Sequence, residues 1–197
     1  MDYTFLTSQQ RKKFTAIRCM QYLNCILRSM NAFLIHKKYD PYLFKPNRII
    51  MTSLFSHKLH YCKGRLYDAY AAASPDCTVK CYSCLDTVVL KQLQSALMHE
   101  GYHCYRYRQG YKPAPMTVKE RIKLYDDSVE EKAAEQIRKE FIEFLNKNKN
   151  YRVSLESCSD LAALFRYEFK PMCFNITNYG AVYFEGDATT PSPRTKE

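Results

Sequence analysis

The sequence contains Cys77-Thr78-Val79-Lys80-Cys81-Tyr82-Ser83-Cys84 and, after a segment without Cys or His, His99-Glu100-Gly101-Tyr102-His103-Cys104. Cys81 and Cys84 have the C-x2-C spacing of a zinc ligand pair, and His99 and His103 have the H-x3-H spacing. The length of the intervening segment also falls within the range of such sites. The sequence therefore predicts a zinc site formed by Cys81, Cys84, His99 and His103, with Cys77 and Cys104 as alternate ligands.

The segment between the two pairs raises a geometric difficulty for this site. Its apolar residues recur at helical spacing, and Asp86 or Thr87 can cap a helix there. A straight helix from Asp86 to His99 is about 20 Å long at 1.5 Å per residue, which keeps Cys84 away from His99. Either the helix begins later or other ligands complete the site. Further candidate ligands are His57, His60 and Cys62.

The ligand pattern resembles two zinc-binding families in part. It resembles a Cys2His2 finger at the four ligands, but the core aromatic and leucine of a finger are not at their usual offsets. It is also similar to a BIR-type zinc module, although the glycine and tryptophan of that family are absent. The residues that carry the second resemblance are Asp76, Val79, Cys81, Cys84, His99 and Cys104.

Residues 99–103 also form an HExxH string, which resembles the zinc-binding helix of zincin peptidases. The resemblance implies that His99 and His103 bind zinc and that Glu100 acts as the base on the metal's water. Three features oppose it. Gly101 weakens a helix at this turn, and no third ligand is identifiable, because the candidate glutamates have the pattern of solvated charges. The chain is also small for a peptidase with a substrate cleft. These candidates are Glu120, Glu130 and Glu135.

The charge of the chain indicates a polyanionic partner. The formal net charge is +10, and residues 1–60 contain 10 Lys and Arg against 2 Asp and Glu. Such an asymmetry favours nucleic acid of either type or an anionic membrane face, although it can also serve solubility alone. Aromatic residues alternate with basic ones near two segments, as in proteins that bind single strands. The predicted phosphate contacts are Lys37, Lys38, Arg106, Arg108 and Lys112.

The cysteine content and the terminus indicate a reducing compartment. The chain has 9 cysteines, an odd number, and no secretory signal is recognisable at its N-terminus. No window approaches the length of a membrane-spanning helix. We therefore expect reduced thiols, no membrane span and a nuclear or cytoplasmic location. No glycine-rich phosphate loop is present.

The predicted fold class is α+β, mainly α. We expect a helical bundle-like core, a small zinc-stabilised segment and a C-terminal β-hairpin at 172–184. The predicted helices cover 8–36, 65–73, a segment from 86 to 98, 128–145 and 154–169, and a strand is predicted at 102–111. The predicted parts are 1–112, basic and zinc-binding, then 117–185, helix-rich, and 186–197, a disordered tail, with 112–115 as the linker.

The first functional prediction is a non-enzymatic, zinc-containing protein. Such a protein would use its basic N-terminal half to bind nucleic acid (DNA or RNA) or would act as a regulatory protein. A second prediction is a protein-interaction adaptor, because Ser154-Leu155, Ser159 and Ala162-Ala163 resemble the BC box of ubiquitin-ligase adaptors. A third is a small HExxH zinc metallopeptidase. The sequence therefore also predicts a protein partner. It favours a non-enzymatic protein over an enzyme.

Overall fold

The protein is an α+β fold in which long helices pack on a mixed sheet. The structure is a computed structural model that describes residues 3–55, 59–62, 65–112, 128–168 and 170–187, with the backbone alone for 59–62, 65–68 and 187. Its helices are α1 (Ser8–His36), α2 (Pro41–Phe44), α3 (Thr87–Arg108), α4 (Val129–Lys147) and α5 (Leu155–Phe165), with a 3-10 turn at Lys149–Tyr151. Its strands are β1 (Arg48–Met51), β2 (Leu59–Cys62), β3 (Arg65–Asp68), β4 (Ala71–Ala73), β5 (Thr78–Cys81), β6 (Met172–Ile176) and β7 (Val182–Asp187).

Five of the strands form one sheet in the order β4-β5-β1-β6-β7. β1 is parallel to β5 and antiparallel to β6, and the other neighbours are antiparallel. Alternate residues of the central strand, Ile49 and Met51, are completely buried, as expected of a strand with one face on the core. β2 and β3 pair with each other in a separate hairpin. β4 is therefore an edge strand of the main sheet within the described residues.

α1 follows the sequence prediction at both ends. Thr7 accepts a hydrogen bond from the amide of Gln10, and the Gln10 side chain accepts one from the amide of Thr7, which completes a capping box. Leu23, Ile26 and Phe33 on its apolar face are fully buried. The predicted helix over 8–36 is confirmed.

α3 is longer than predicted and approaches α2 closely at Gly101. A Cβ atom at Gly101 would lie 2.9 Å from the carbonyl oxygen of Phe44 and 3.1 Å from Cε of Met30. Gly101 reduces helix propensity, but its lack of a side chain lets α3 pack against α1 and the end of α2. Gly101, which opposes a helix in the HExxH string, is therefore required for the packing of that helix.

Two secondary-structure predictions are wrong. Residues 102–108 continue α3 instead of forming a strand. Their alternation of tyrosine with arginine has period two, but Cys104 is buried and Tyr105 stacks on Phe44, with ring centroids 4.6 Å apart, so packing keeps the helical period. The Ala-rich residues 71–73 form β4 and not a helix, because pairing with β5 overrides their helix propensity.

The core is built on the sheet and is not a helical bundle. One cluster of buried residues runs from Ala16 to Val182, and β1, in the first predicted part of the chain, pairs with β6 in the second. The predicted C-terminal hairpin is confirmed as β6 and β7. Residues 113–115 of the predicted linker and 188–197 of the predicted tail lie outside the described residues. No helix within the described ranges has the length and hydropathy needed to cross a membrane.

Candidate metal centre

Two neighbouring helices bring together the two histidines of the HExxH string and a glutamate. His99 and His103 are one turn apart and share one face of α3. Glu131 lies in the first turn of α4, which packs along the second half of α3. The Glu131 carboxylate is 3.1 Å from Nε2 of His99 and 3.5 Å from Nε2 of His103. The two Nε2 atoms are 3.2 Å apart.

The spacing of these three groups suits a metal ion. Zinc with bonds of about 2.0–2.1 Å in tetrahedral geometry has ligand atoms about 3.3–3.4 Å from one another. The three ligand atoms of His99, His103 and Glu131 all lie within 4.8 Å of one another. In the described part of the chain, this is the one group of three or more Cys, His, Asp or Glu side chains with such spacing. The group could hold a metal ion.

The cap of α4 explains why Glu131 lies where it does. Ser128 begins the helix, and its hydroxyl accepts a hydrogen bond from the amide of Glu131 at 3.4 Å. The sequence Ser128-x-x-Glu131 predicts a reciprocal capping box, in which the Glu131 side chain returns to the backbone of Ser128. Instead, the carboxylate points to His99 and His103. The cap fixes the start of α4, and the carboxylate of Glu131 contacts His99 and His103 instead of the backbone of the cap.

The carboxylate and His103 stabilise each other's charged form. Burial raises the pKa of Glu131, but hydrogen bonds with His103 and His99 outweigh it and hold the pKa well below its usual range. Burial lowers the pKa of His103, but the hydrogen bond with Glu131 and the negative charge of Glu100 outweigh it, and the pKa is raised overall. The two shifts favour the ionised carboxylate of Glu131 and the protonated ring of His103.

A second carboxylate, that of Glu135, lies on the other side of the His99 ring. Oε2 of Glu135 is 3.9 Å from Nδ1 of His99, and Glu135 follows Glu131 by one turn of α4. Arg138 holds Glu135 with two hydrogen bonds of 2.7 Å. A histidine that binds metal through one ring nitrogen commonly donates the other to a carboxylate, which fixes its tautomer and orientation. Glu135 lies on that side of the His99 ring, at a distance longer than a direct hydrogen bond.

The glutamate of the HExxH string faces the edge of the sheet. The side chain of Glu100 is largely buried, and its Oε2 accepts a hydrogen bond of 2.7 Å from the amide of Ala73 in β4. This amide points away from β5, because the neighbouring amide of Ser74 bonds to the carbonyl of Thr78. The Glu100 carboxylate is therefore anchored by a strand, between α3 and β4.

Cys81 and Cys84, the first two predicted ligands, lie elsewhere. Both are completely buried, and burial raises the pKa of Cys81 well above its usual value and that of Cys84 to about 12. A zinc ligand is a thiolate, and these thiols are protonated in a dry core. The group with metal-compatible spacing contains His99 and His103, as predicted, but Glu131 in place of the two cysteines.

The alternate cysteines contact each other and are not part of the group. The Cys77 thiol lies 3.8 Å from the carbonyl oxygen of Cys104. A hydrogen bond with the Cys104 side chain, which favours the thiolate of Cys77, lowers the pKa of Cys77 to about 7. Both cysteines are buried. His57 and the side chains of His60 and Cys62 lie outside the described residues.

Three of the five predicted phosphate contacts have partners within the protein. Lys37 pairs with Glu140 at 2.6 Å, and Arg106 pairs with Glu130 at 2.6 Å. Arg108 donates to the carbonyl of Leu43 at 2.7 Å and to the side chain of Asn47 at 2.8 Å. Lys38 and Lys112 are exposed. Nucleic-acid binding and adaptor function stay predictions.

Comparison of the chain with family models, with curated proteins and with solved structures found no match.

Proposed function

We propose that this protein is a zinc-dependent hydrolase that cleaves peptide bonds. His99, His103 and Glu131 would hold the zinc, and Glu100 would act as the general base. The observation that carries the proposal is the approach of Glu131 to both histidines of the HExxH string, at 3.1 and 3.5 Å. It supplies the third ligand that the sequence pattern lacks.

The number and type of ligands favour a catalytic metal over a structural one. Structural zinc sites are closed by four protein ligands, most of them cysteines. Catalytic sites have three protein ligands, and two histidines with one glutamate are a known set in peptidases. Here three ligands converge from two helices, and the cysteines remain in the core. A metal ion held by these three residues would keep its fourth position for water or substrate.

In the proposed site Glu100 would move the proton. It follows His99 directly on α3 and is anchored by the amide of Ala73 at 2.7 Å. A bound zinc ion polarises a substrate carbonyl and acidifies water. Glu100 would accept the proton of the attacking water and pass it to the departing amine, while Glu135 keeps the ring of His99 oriented. The anchor on β4 fixes the carboxylate before substrate arrives.

The competing explanation is a purely structural contact between α3 and α4. A histidine pair and a glutamate in hydrogen bonds can join two helices without any metal. The two explanations differ in how the protein responds to zinc and to substitution of Glu100. A structural contact between the two helices requires neither bound zinc nor Glu100, since Glu100 makes no bond to α4.

The test is cleavage of a defined peptide library by the full chain loaded with zinc. We expect wild-type protein to cleave a subset of peptides, and chelation to abolish cleavage. Glu100→Gln should retain zinc and lose at least about 10²-fold in kcat, the scale of a general base. Glu143→Gln, on the far half of α4, is the matched control and should retain activity. Zinc-loaded wild-type protein that cleaves no peptide, or full activity in Glu100→Gln, would contradict the proposal.

A further inference from the structure

Two exposed tyrosine rings lie near a pair of positively charged side chains, away from the metal-binding group. Tyr42 in α2 is 48% exposed, and Tyr179 in the turn between β6 and β7 is 100% exposed. Lys45 joins these two segments, because its Nζ lies 5.2 Å from the centre of the Tyr42 ring and donates a hydrogen bond to the carbonyl of Thr177. Cζ of Arg108, the last residue of α3, lies 5.6 Å from the centre of the Tyr42 ring. We call Tyr42, Lys45, Arg108 and Tyr179 the tyrosine–cation surface.

The positive charge of this surface is not neutralised by the protein. In the part of the chain that the structure describes, no carboxylate forms a salt bridge with Lys45 or Arg108; Arg108 donates to a backbone carbonyl and to a side-chain amide oxygen. The neighbouring Asp40 caps α2 by accepting a hydrogen bond of 2.9 Å from the amide of Tyr42. Burial lowers the pKa of Lys45, and the positive charge of Arg108 lowers it further. The two cations therefore repel each other, and a bound anion would relieve the repulsion.

The exposed rings indicate what kind of anion fits. Tyr179 makes no contact with another aromatic ring within the described residues, so its ring has no packing role that would explain a tyrosine at the tip of a turn. Proteins that bind single-stranded nucleic acid combine cations along the backbone with aromatic rings on which successive bases stack. In a duplex the base faces are covered by their neighbours. The combination of rings and cations therefore favours a single strand over a duplex.

We propose that the tyrosine–cation surface binds single-stranded nucleic acid, with bases stacked on Tyr42 and Tyr179 and phosphates held near Lys45 and Arg108. This binding goes beyond the proposed peptidase function and does not depend on the metal centre. The contacts are to bases and phosphates and not to the sugar, so DNA and RNA strands of equal length should bind alike. Of the phosphate contacts predicted from the sequence, the surface includes Arg108.

The experiment measures the fluorescence anisotropy of labelled oligonucleotides titrated with the zinc-loaded full chain. The probes are a thymidine strand and a uridine strand of about 15 nucleotides, within the range of known site sizes, and a DNA duplex of the same length. We expect both strands to bind at least about tenfold more tightly than the duplex. Affinity for the strands should fall as salt rises from about 50 to 200 mM, because bound phosphates release their counterions.

Three variants locate the binding on this surface. Tyr42→Leu and Tyr179→Leu should each weaken strand binding by about tenfold, the scale of one lost stack. Arg108→Gln should reduce the slope of log affinity against log salt by about 0.7, as expected for one phosphate contact on a single strand. Circular dichroism checks that this variant, which also loses contacts within the protein, still folds.

Tyr70→Leu is the matched control. Tyr70 is 38% exposed, but it precedes β4 beside the last residue of β5. Lys45 instead precedes β1 at the end of the sheet where the parallel strands β1 and β5 begin. Tyr70→Leu should therefore bind the strands as wild type does. Glu100→Gln should also bind them as wild type does, which separates this surface from the proposed peptide cleavage.

The outcomes decide the proposal independently of peptidase activity. Wild-type protein that binds neither strand, or that binds the duplex as tightly, overturns it. Full affinity in both Tyr42→Leu and Tyr179→Leu also overturns it, as does an equal loss in Tyr70→Leu. Strand binding by a protein that cleaves no peptide would support this surface and contradict only the peptidase function.

Discussion

The carboxylate of Glu131 lies 3.1 Å from Nε2 of His99, although the two residues are 32 positions apart in the chain. The contact joins the first turn of α4 to the second half of α3. It also completes a set of two histidines and one glutamate whose atoms are spaced as the ligands of one metal ion.

Glu135→Gln should weaken zinc binding without abolishing it. Its carboxylate is 3.9 Å from Nδ1 of His99, and loss of such a supporting acceptor typically costs 10–100-fold in metal affinity. Competition with a chromogenic chelator measures the change. Glu143→Gln is the control on the same helix and should bind as wild type. Unchanged affinity in Glu135→Gln would show that Glu135 does not orient His99.

Gly101→Ala should destabilise the protein even though alanine favours a helix. The added methyl group would lie 2.9 Å from the carbonyl oxygen of Phe44. Overpacking of this kind costs about 1–3 kcal/mol, against a gain of about 1 kcal/mol in helix propensity. Urea unfolding measures the net loss. Gln92→Ala, at an exposed position of α3, should change stability by less than about 0.5 kcal/mol; a stabilised Gly101→Ala would contradict the close approach of α3 to α2.

The stability of the metal-free protein should decline as pH rises from 5.5 to 8. The folded pKa of His103 lies above its ordinary value of 6.5, so its contribution is complete below that value and is lost as pH rises through the folded pKa. The folded pKa of Glu131 lies below its ordinary value of 4.5, so its contribution is present above 4.5 and is lost only at lower pH. Thermal unfolding of chelator-treated protein across this range measures the decline.

His103→Gln is the variant that isolates this effect, because it removes the titrating ring. Its stability should change less between pH 5.5 and 8 than that of wild-type protein, whereas His36→Gln, at an exposed position of α1, should behave as wild type. Zinc should reverse the trend, since binding requires neutral imidazoles and competes with protons. Identical pH dependence in wild type and His103→Gln would show that the pair with Glu131 does not contribute.

Local signals predicted the helices well and the sheet poorly. Thr7, Asp86 and Ser128 each cap a helix at the position that the sequence indicates, because capping depends on a few adjacent residues. The sheet is not local. β1 is a four-residue strand whose neighbours come from residues 78–81 and 172–176, and such short apolar runs do not reveal their partners. Ala71–Ala73 form a strand only because β5 lies beside them.

The sequence predicts two of the three residues of the candidate site, His99 and His103. The spacing of His99 and His103 places both on one face of a helix, and that prediction needs no tertiary structure. Glu131 was recognised as part of a cap, and nothing local shows that its carboxylate turns to another helix. The spacing of Cys81 and Cys84 carried a stronger signal, yet their position at the end of β5 and beyond it buries both thiols in the core. The packing of α4 against α3 brings Glu131, and not the two cysteines, to the histidines.

The most direct test of the metal centre is the zinc content of purified variants after dialysis, measured by elemental analysis. We predict one zinc per chain in wild-type protein, little or none in His103→Ala and Glu131→Ala, and full occupancy in Cys81→Ser and Cys84→Ser, with circular dichroism to confirm that each variant folds. Loss of zinc in the cysteine variants, together with its retention in Glu131→Ala, would contradict a site built from His99, His103 and Glu131.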